Sequence, residues 1–235
     1  MALAIQSIGS FSSTTSGTSL TNNGLTVAAG ASALLATISF LSNTVTPSGV
    51  TMTWGGSSMT QVAAVVDGTT VTQFYGLVSP PTGALTLTAS WSNAVAATLE
   101  AISFVGTPVD IINNVFVNAN YATGTGATAS FPTTTAPGHI NFAQIASNAS
   151  SVTSFSAPGS VAVFNAGQVA LAYDAPSSNT ATWSGALTSA DPFTTDFTMD
   201  FGSSVSANPW AIVTIDAVPA FTPYTTFSFQ SLIAQ

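Results

Sequence analysis

Between Tyr75 and Ser92 the chain reads YGLVSPPTGALTLTASWS, where Leu85, Leu87, Ala89 and Trp91 alternate with Thr86, Thr88 and Ser90. A period of two puts the apolar set on one face of a pleated strand and the hydroxyls on the other. The same short alternation predicts strands at Ala2–Ile8, Ser19–Val27, Ala33–Leu41, Val50–Trp54, Met59–Val66, Val71–Leu77, Ala84–Trp91 and Ala96–Val105. After Pro108 it predicts Ile111–Asn118, Ala127–Phe131, Ile140–Ala146, Val152–Phe155, Val161–Phe164, Val169–Tyr173, Thr180–Trp183, Phe193–Phe201 and Trp210–Val218. Helical periodicity is nearly absent, and Val, Ile, Thr, Phe and Ser dominate where Glu, Lys, Arg and Gln would favour helix.

The punctuation agrees. Trp54-Gly55-Gly56 offers positive-φ positions between two strands, and Asp67-Gly68 is a hairpin signal between Val66 and Val71. Many short strands divided by Gly, Pro, Asn and Ser predict an all-β chain, an antiparallel sandwich or barrel, with residues 1–220 as one domain. The halves also echo one another. FYGLVSPPTGALTLTASWS followed by TLEAISFVGTP resembles ALAYDAPSSNTATWSG followed by PWAIVTIDAVPA. Such an echo arises from two similar units packed face to face, or from hairpins of like composition.

Composition changes the picture in one respect: of 235 residues none is Lys or Arg, eight are Asp or Glu, and the net charge is −8. Charged residues make up 3% of the chain while 46% is hydrophobic and 10% aromatic, which excludes the composition of a disordered segment. Nucleic acid is bound through Lys and Arg on phosphate, and anionic membrane surfaces through the same groups. Neither partner is therefore expected. Without Cys there are no disulfides or thiolate metal sites. The start MALAIQSIGSFSSTT lacks the basic n-region and long apolar core of a secretory signal, and no apolar run reaches membrane-spanning length.

Candidate chemistry is sparse, and neither a catalytic residue, a metal nor a cofactor is expected. His139, in APGHINF, has the one side chain that ordinarily titrates near neutrality, yet no Gly-x-Ser-x-Gly elbow accompanies it. It reads as a turn-lining or interface histidine. Glu100 is the sole Glu, where glycosidase chemistry needs two positioned carboxylates; it reads as a half-exposed strand residue. Asp191, Asp196 and Asp200 could offer oxygens to Ca²⁺, but their spacing fits no known calcium loop and they read as a solvated face. Gly124-Thr125-Gly126-Ala127-Thr128-Ala129 matches a dinucleotide fingerprint in letters only, because no helix is predicted after it. Asn148-Ala149-Ser150 is a formal glycosylation sequon. Trp54, Trp91, Trp183 and Trp210 could stack on sugars, but their apolar neighbours favour core packing.

Several motifs together carry a resemblance. They are Thr15-Ser16-Gly17-Thr18, the hairpin VTMTWGGSSMTQV at Val50–Val62, the aromatic strand with Pro-Thr-Gly and its alternating successor at Tyr75–Trp91, Ala101–Gly106, and Trp210–Val213. From about Thr15 to Ala220 the chain resembles the jelly-roll-like β-sandwich domain of tailed-bacteriophage virion proteins, also seen in some secreted bacterial proteins. Members usually carry some Lys and Arg, so their absence is a departure. The resemblance implies a non-enzymatic structural protein, a capsid decoration or tail-associated subunit at the virion surface, with other virion subunits and copies of itself as partners. A cell-surface adhesin or carbohydrate-binding module is the alternative.

Beyond Pro219 the segment PAFTPYTTFSFQSLIAQ holds Phe221, Tyr224, Phe227, Phe229, Leu232 and Ile233. Apolar area left in water costs about 25 cal/mol per Å². Residues 221–235 are therefore expected to act as an arm, with Phe221, Tyr224, Phe227, Phe229 and Leu232 as interface residues.

Overall fold

The structure, a computed structural model, describes residues 3–10, 12–41, 47–67, 70–125, 128–135, 139–149, 154–156, 161–171, 178–188, 193–200 and 209–220. These form an all-β, antiparallel sandwich. The strands of the first half are β1 (Ala4–Ile8), β2 (Ser12–Asn22), β3 (Ala33–Leu41), β4 (Thr51–Trp54), β5 (Ser57–Ser58), β6 (Thr60–Asp67), β7 (Thr70–Val78) and β8 (Leu87–Val105). A 3₁₀ turn at Ile112–Asn114 precedes β9 (Phe116–Thr125), β10 (Thr128–Thr135), β11 (Ile140–Ala149), β12 (Ser154–Ser156), β13 (Val161–Leu171), β14 (Ser178–Thr188), β15 (Phe193–Asp200) and β16 (Pro209–Ala217).

The first eight strands make one curled sheet in the order β5-β4-β8-β3-β7-β6, with β1 and β2 along the other side of β8. A second sheet runs β13-β14-β11-β16-β9, and a third β10-β15-β12. β16 lies over β6 and β7, β11 over β7 and β3, and β10 against β9 and β16.

This layering explains the apolar runs of β3 and β8. Val95 through Phe104 are buried without interruption, because the first sheet has a core on each face. Inside its curl, Leu34, Ala36, Ile38 and Phe40 of β3 meet Leu87, Ala89, Trp91, Val95, Ala97, Leu99 and Ala101 of β8, with Met52, Trp54 and Tyr75. On the other face, Ala33, Leu35, Phe74, Ile102 and Phe104 meet Phe116, Ile140, Phe142, Val213 and Ile215. The Phe104 ring stands edge-on to Phe142 and Phe116, with centroids 5.1 and 6.0 Å away. Such edge-to-face pairs add about 0.5–1.5 kcal/mol each beyond area burial.

Local chemistry sets the turns. Gly55 and Gly56 have φ of 54° and 86° between Trp54 and Ser57, the double positive-φ geometry of a type I′ hairpin. Asp67 pairs with Thr70, so the Asp67-Gly68 hairpin falls where the sequence puts it, its residues 68–69 lying outside the described set.

Three sequence expectations are corrected. The predicted strands Ala84–Trp91 and Ala96–Val105 are one strand, β8, carried past Asn93 (φ 65°) while Ser92 exchanges hydrogen bonds with Ser48. β2 begins at Ser12 and stops at Asn22, whose side-chain oxygen accepts from the Gly24 N–H at 2.7 Å. The internal echo is not a topological repeat: β13 pairs directly with β14, whereas β7 and β8 are separated by β3.

Candidate functional site

Among the described residues, β6 and β9 form one flank of the sandwich. β6 is the last strand of the first sheet and β9 the last of the second, and the two lie against each other. Strand β9 carries FVNANYATGT, without a charged side chain. It pairs with β16 on one side, and among the described pairings no strand takes the other.

A bulge re-aims this strand. Ala217 pairs with Phe116 and Asp216 with Val117, but Thr214 pairs with Asn120, so β9 holds one extra residue, and Asn118 takes φ 54° there. Past the bulge Tyr121 stands opposite Val213 and Thr123 opposite Ala211. Directly opposed residues share a sheet face, and Val213 and Ala211 are fully buried in the inter-sheet core. Tyr121 is nonetheless 64% exposed. The core-facing side of β9 thus projects beyond the cover of the first sheet and shows an aromatic ring to solvent.

Edge strands are normally guarded by Lys, by Pro or by bulges. Here no Lys exists, and past the bulge Asn120–Thr125 has neither Pro nor charge. Val66 on β6 and Val109 and Ile111 in the loop before β9 are also more than half exposed. Sequence reasoning missed Tyr121, because the Asn-rich NANYATGTG read as a loop after Asn118. The signal that could have found it is the alternation resuming after a bulge.

His139 stands at the start of β11. Its Nδ1 lies 3.3 Å from Asp216 Oδ2, and the Asn118 amide donates to the same oxygen at 3.0 Å. Asp216 is completely buried, on the face of β16 opposite Ile215, while the His139 side chain is 17% exposed. The three residues clamp the β9 bulge to the start of β11 through β16. No serine hydroxyl partners His139 among the described residues.

Glu100 corrects its expectation. It is 1% exposed, between the two sheets rather than half-exposed, because both faces of β8 are covered. It sits in a buried polar band beyond the phenylalanines. Thr37 pairs with Glu100, and Ser39 with both Thr98 and Thr72. The Ser39 and Thr72 hydroxyls are 3.1 Å apart, and Gln144 Nε2 of the second sheet donates to Ser39 Oγ at 3.2 Å. The gap beside Glu100, walled by Leu35, Thr37, Phe74, Ile102 and Phe142, is too narrow to seat a water molecule.

Trp54 is fully buried, its indole donating to the Pro81 carbonyl at 2.8 Å, and Trp91 is 5% exposed with its ring edge-on to Phe40. Neither is free to stack on a sugar. Trp183 and Trp210 lie in β14 and β16. Asp196 and Asp200 pair with Pro132 and Thr128 of β10, and Asp191 lies outside the described residues. Of the dinucleotide look-alike, Gly124 and Thr125 end β9 and Thr128 and Ala129 begin β10, while Gly126 and Ala127 lie outside the described residues. Phe221, Tyr224, Phe227, Phe229 and Leu232 also lie outside the described residues. Burial pushes the Tyr75 hydroxyl up from 10.0 to about 12; its one proton is shared between Gln73 Oε1 at 3.0 Å and the Val50 carbonyl at 3.3 Å.

No protein-family model, curated protein or solved structure matches this chain. The likeness to virion β-sandwich domains rests on the sequence motifs alone.

Proposed function

We propose that this chain is a non-enzymatic structural protein whose jelly-roll-like β-sandwich coats or joins a larger assembly, as a capsid-decoration or tail-associated subunit does on a phage particle. The observation that carries this reading is the flank at β9, where a core-facing aromatic ring meets solvent beside a strand edge that no described strand pairs and that carries no charged side chain of its own. An edge of this kind is a template for pairing with another chain.

The missing cations fit the same role. Interface cores are depleted of long charged side chains, which cost desolvation and side-chain entropy on association. A surface of hydroxyls and apolar groups meets a neighbour without those costs, and its negative charge discourages adsorption to nucleic acid. The partners are copies of this chain and other subunits of the particle, with Phe221, Tyr224, Phe227, Phe229 and Leu232 among the contacts.

The test is a direct one. The protein should be found in fixed stoichiometry in purified particles, and light scattering should show the isolated full chain to self-associate with concentration. A chain that stays monomeric at every concentration and is absent from particles would overturn the reading.

A further inference from the structure

We propose that the free edge of β9 receives residues 221–235 of a second copy of this chain, added as an antiparallel strand with its aromatic face against Tyr121. This rests on the reading of the chain as an assembly subunit and names the surfaces that join the copies.

The argument begins with where the described chain stops. β16 ends at Ala217 beside Phe116, the first residue of β9. The Val218 N–H then donates to the Val115 carbonyl and the Ala220 N–H to the Gly106 carbonyl. Residues 221–235 therefore set out from the end of the sandwich at which β8 and β16 finish.

The edges of β6, β9 and β13 in the same copy all begin at that end. Phe116 of β9 is opposite Ala217; Thr60 of β6 is opposite Gly76, near the finish of β7; Val161 of β13 is opposite Leu187, near the finish of β14. A segment setting out from Ala220 could join its own β6, β9 or β13 only in parallel. Parallel pairs are somewhat weaker per residue and need a long crossover connection. Antiparallel pairing within the copy would require first traversing the length of β9, which has 10 residues. At ~3.3 Å per residue that is roughly 33 Å and would consume most of residues 221–235. A second copy has no such constraint and can present its β9 in the opposite sense.

The chemistry of the segment fits the acceptor. Phe227 and Phe229 share one parity with Ser231 and Ile233, while Thr226, Ser228 and Gln230 take the other together with Tyr224 and Leu232. In a strand this gives an aromatic face for the overhang at Tyr121 and a mostly polar face for solvent. Neither TPYTTFSFQSLIAQ nor FVNANYATGT carries a charged side chain. In a chain of net charge −8, this pairing brings no carboxylates together.

The chain contains no Cys, so introduced thiols report without background. Full-length Tyr121→Cys and full-length Phe229→Cys (with Phe227→Cys as the neighbouring register) are purified separately, mixed and mildly oxidised. The expected product is a mixed disulfide dimer of the two variants, in excess over either homodimer and suppressed by added unsubstituted chain. Absence of the mixed dimer while the unsubstituted chain self-associates overturns the β9 proposal and leaves the assembly reading intact. An internal disulfide in monomeric Tyr121→Cys/Phe229→Cys, without mixed dimers, assigns the segment to its own copy and also overturns it. A chain that neither cross-links nor self-associates defeats both readings.

Discussion

Gln144 of β11 donates its amide to the Ser39 hydroxyl of β3 at 3.2 Å, across the space between the two sheets. Ser39 also sits 3.1 Å from the Thr72 hydroxyl, so one contact joins three strands and both layers. Apolar surfaces alone let stacked sheets slide, whereas a buried directional bond penalises every offset that breaks it. The phenylalanine cluster supplies attraction, and this band supplies registry.

The first prediction tests that contact. Gln144→Ala should destabilise by about 2–3 kcal/mol, since it removes packing and leaves the Ser39–Thr72 pair short of a donor. In a double-mutant cycle with Ser39→Ala, urea denaturation should give a coupling of about 1 kcal/mol. Additive effects would show that the bond contributes nothing to stability.

Glu100 gives the second. The chain holds no Lys or Arg, so a buried carboxyl group at this position is never neutralised by a strong cation, and a charge there is costly. Glu100→Gln keeps the shape without the charge and should leave stability within about 1 kcal/mol or raise it, whereas Glu100→Ala should lose about 2–4 kcal/mol to the cavity. A melting temperature that collapses in the Gln variant alone would show that the carboxylate form holds the fold together.

Much of the architecture was legible because it is local. β3 has the bounds that its run ALLATISFL gives, and Gly55-Gly56 falls where positive φ is needed. What was illegible is set by layering. The burial of Glu100 depends on the second sheet covering β8, which no window of sequence around TLEAISF reveals. β2 was seen late because SSTTSGTS carries hydroxyls on both parities, and its pairing comes from β8. Tyr121 was hidden by the Asn118 bulge, which shifts the strand period by one. The clamp of His139, Asp216 and Asn118 joins residues 77 and 98 positions apart, a distance over which pattern reading has no purchase.

Alkaline pH gives the third prediction. Tyr75 is neutral in the folded state up to about 12, against 10.0 ordinarily, because burial disfavours the phenolate. Its contribution is fully present below pH 10 and is lost as the pH rises toward 12, about 2–3 kcal/mol in all. Tyr75→Phe should be weaker by about 1 kcal/mol at neutral pH for want of the hydrogen bonds. It should then lose less stability than the parent between pH 10 and 12. Denaturant melts across that interval decide it, and parallel curves would remove Tyr75 from the account.

Salt gives the fourth. With no Lys or Arg, no ion pair to a strong cation exists to be screened, while eight carboxylates repel one another. Moderate sodium chloride should leave the melting temperature unchanged or raise it by a few degrees. A fall of several degrees would mean that an attraction is being screened, with the His139–Asp216 contact as the first suspect.

The last prediction concerns how β9 is seated. Gly76 lies in β7 beneath the start of β9, and a Cβ there would come within 2.7 Å of Ile112 Cδ1 and 2.8 Å of Phe116 Cδ2. Its backbone is ordinary extended strand, so glycine is required by the close approach of those two side chains and not by a dihedral. Gly76→Ala should cost about 1–3 kcal/mol through overpacking. The clash partners are ends of side chains, so a smaller neighbour should relieve it. Phe116→Leu alone costs about 1 kcal/mol or more, but combined with Gly76→Ala it should cost less than the sum of the two. A strictly additive pair would show that β9 is held elsewhere, leaving the His139–Asp216–Asn118 clamp as the anchor of the edge strand.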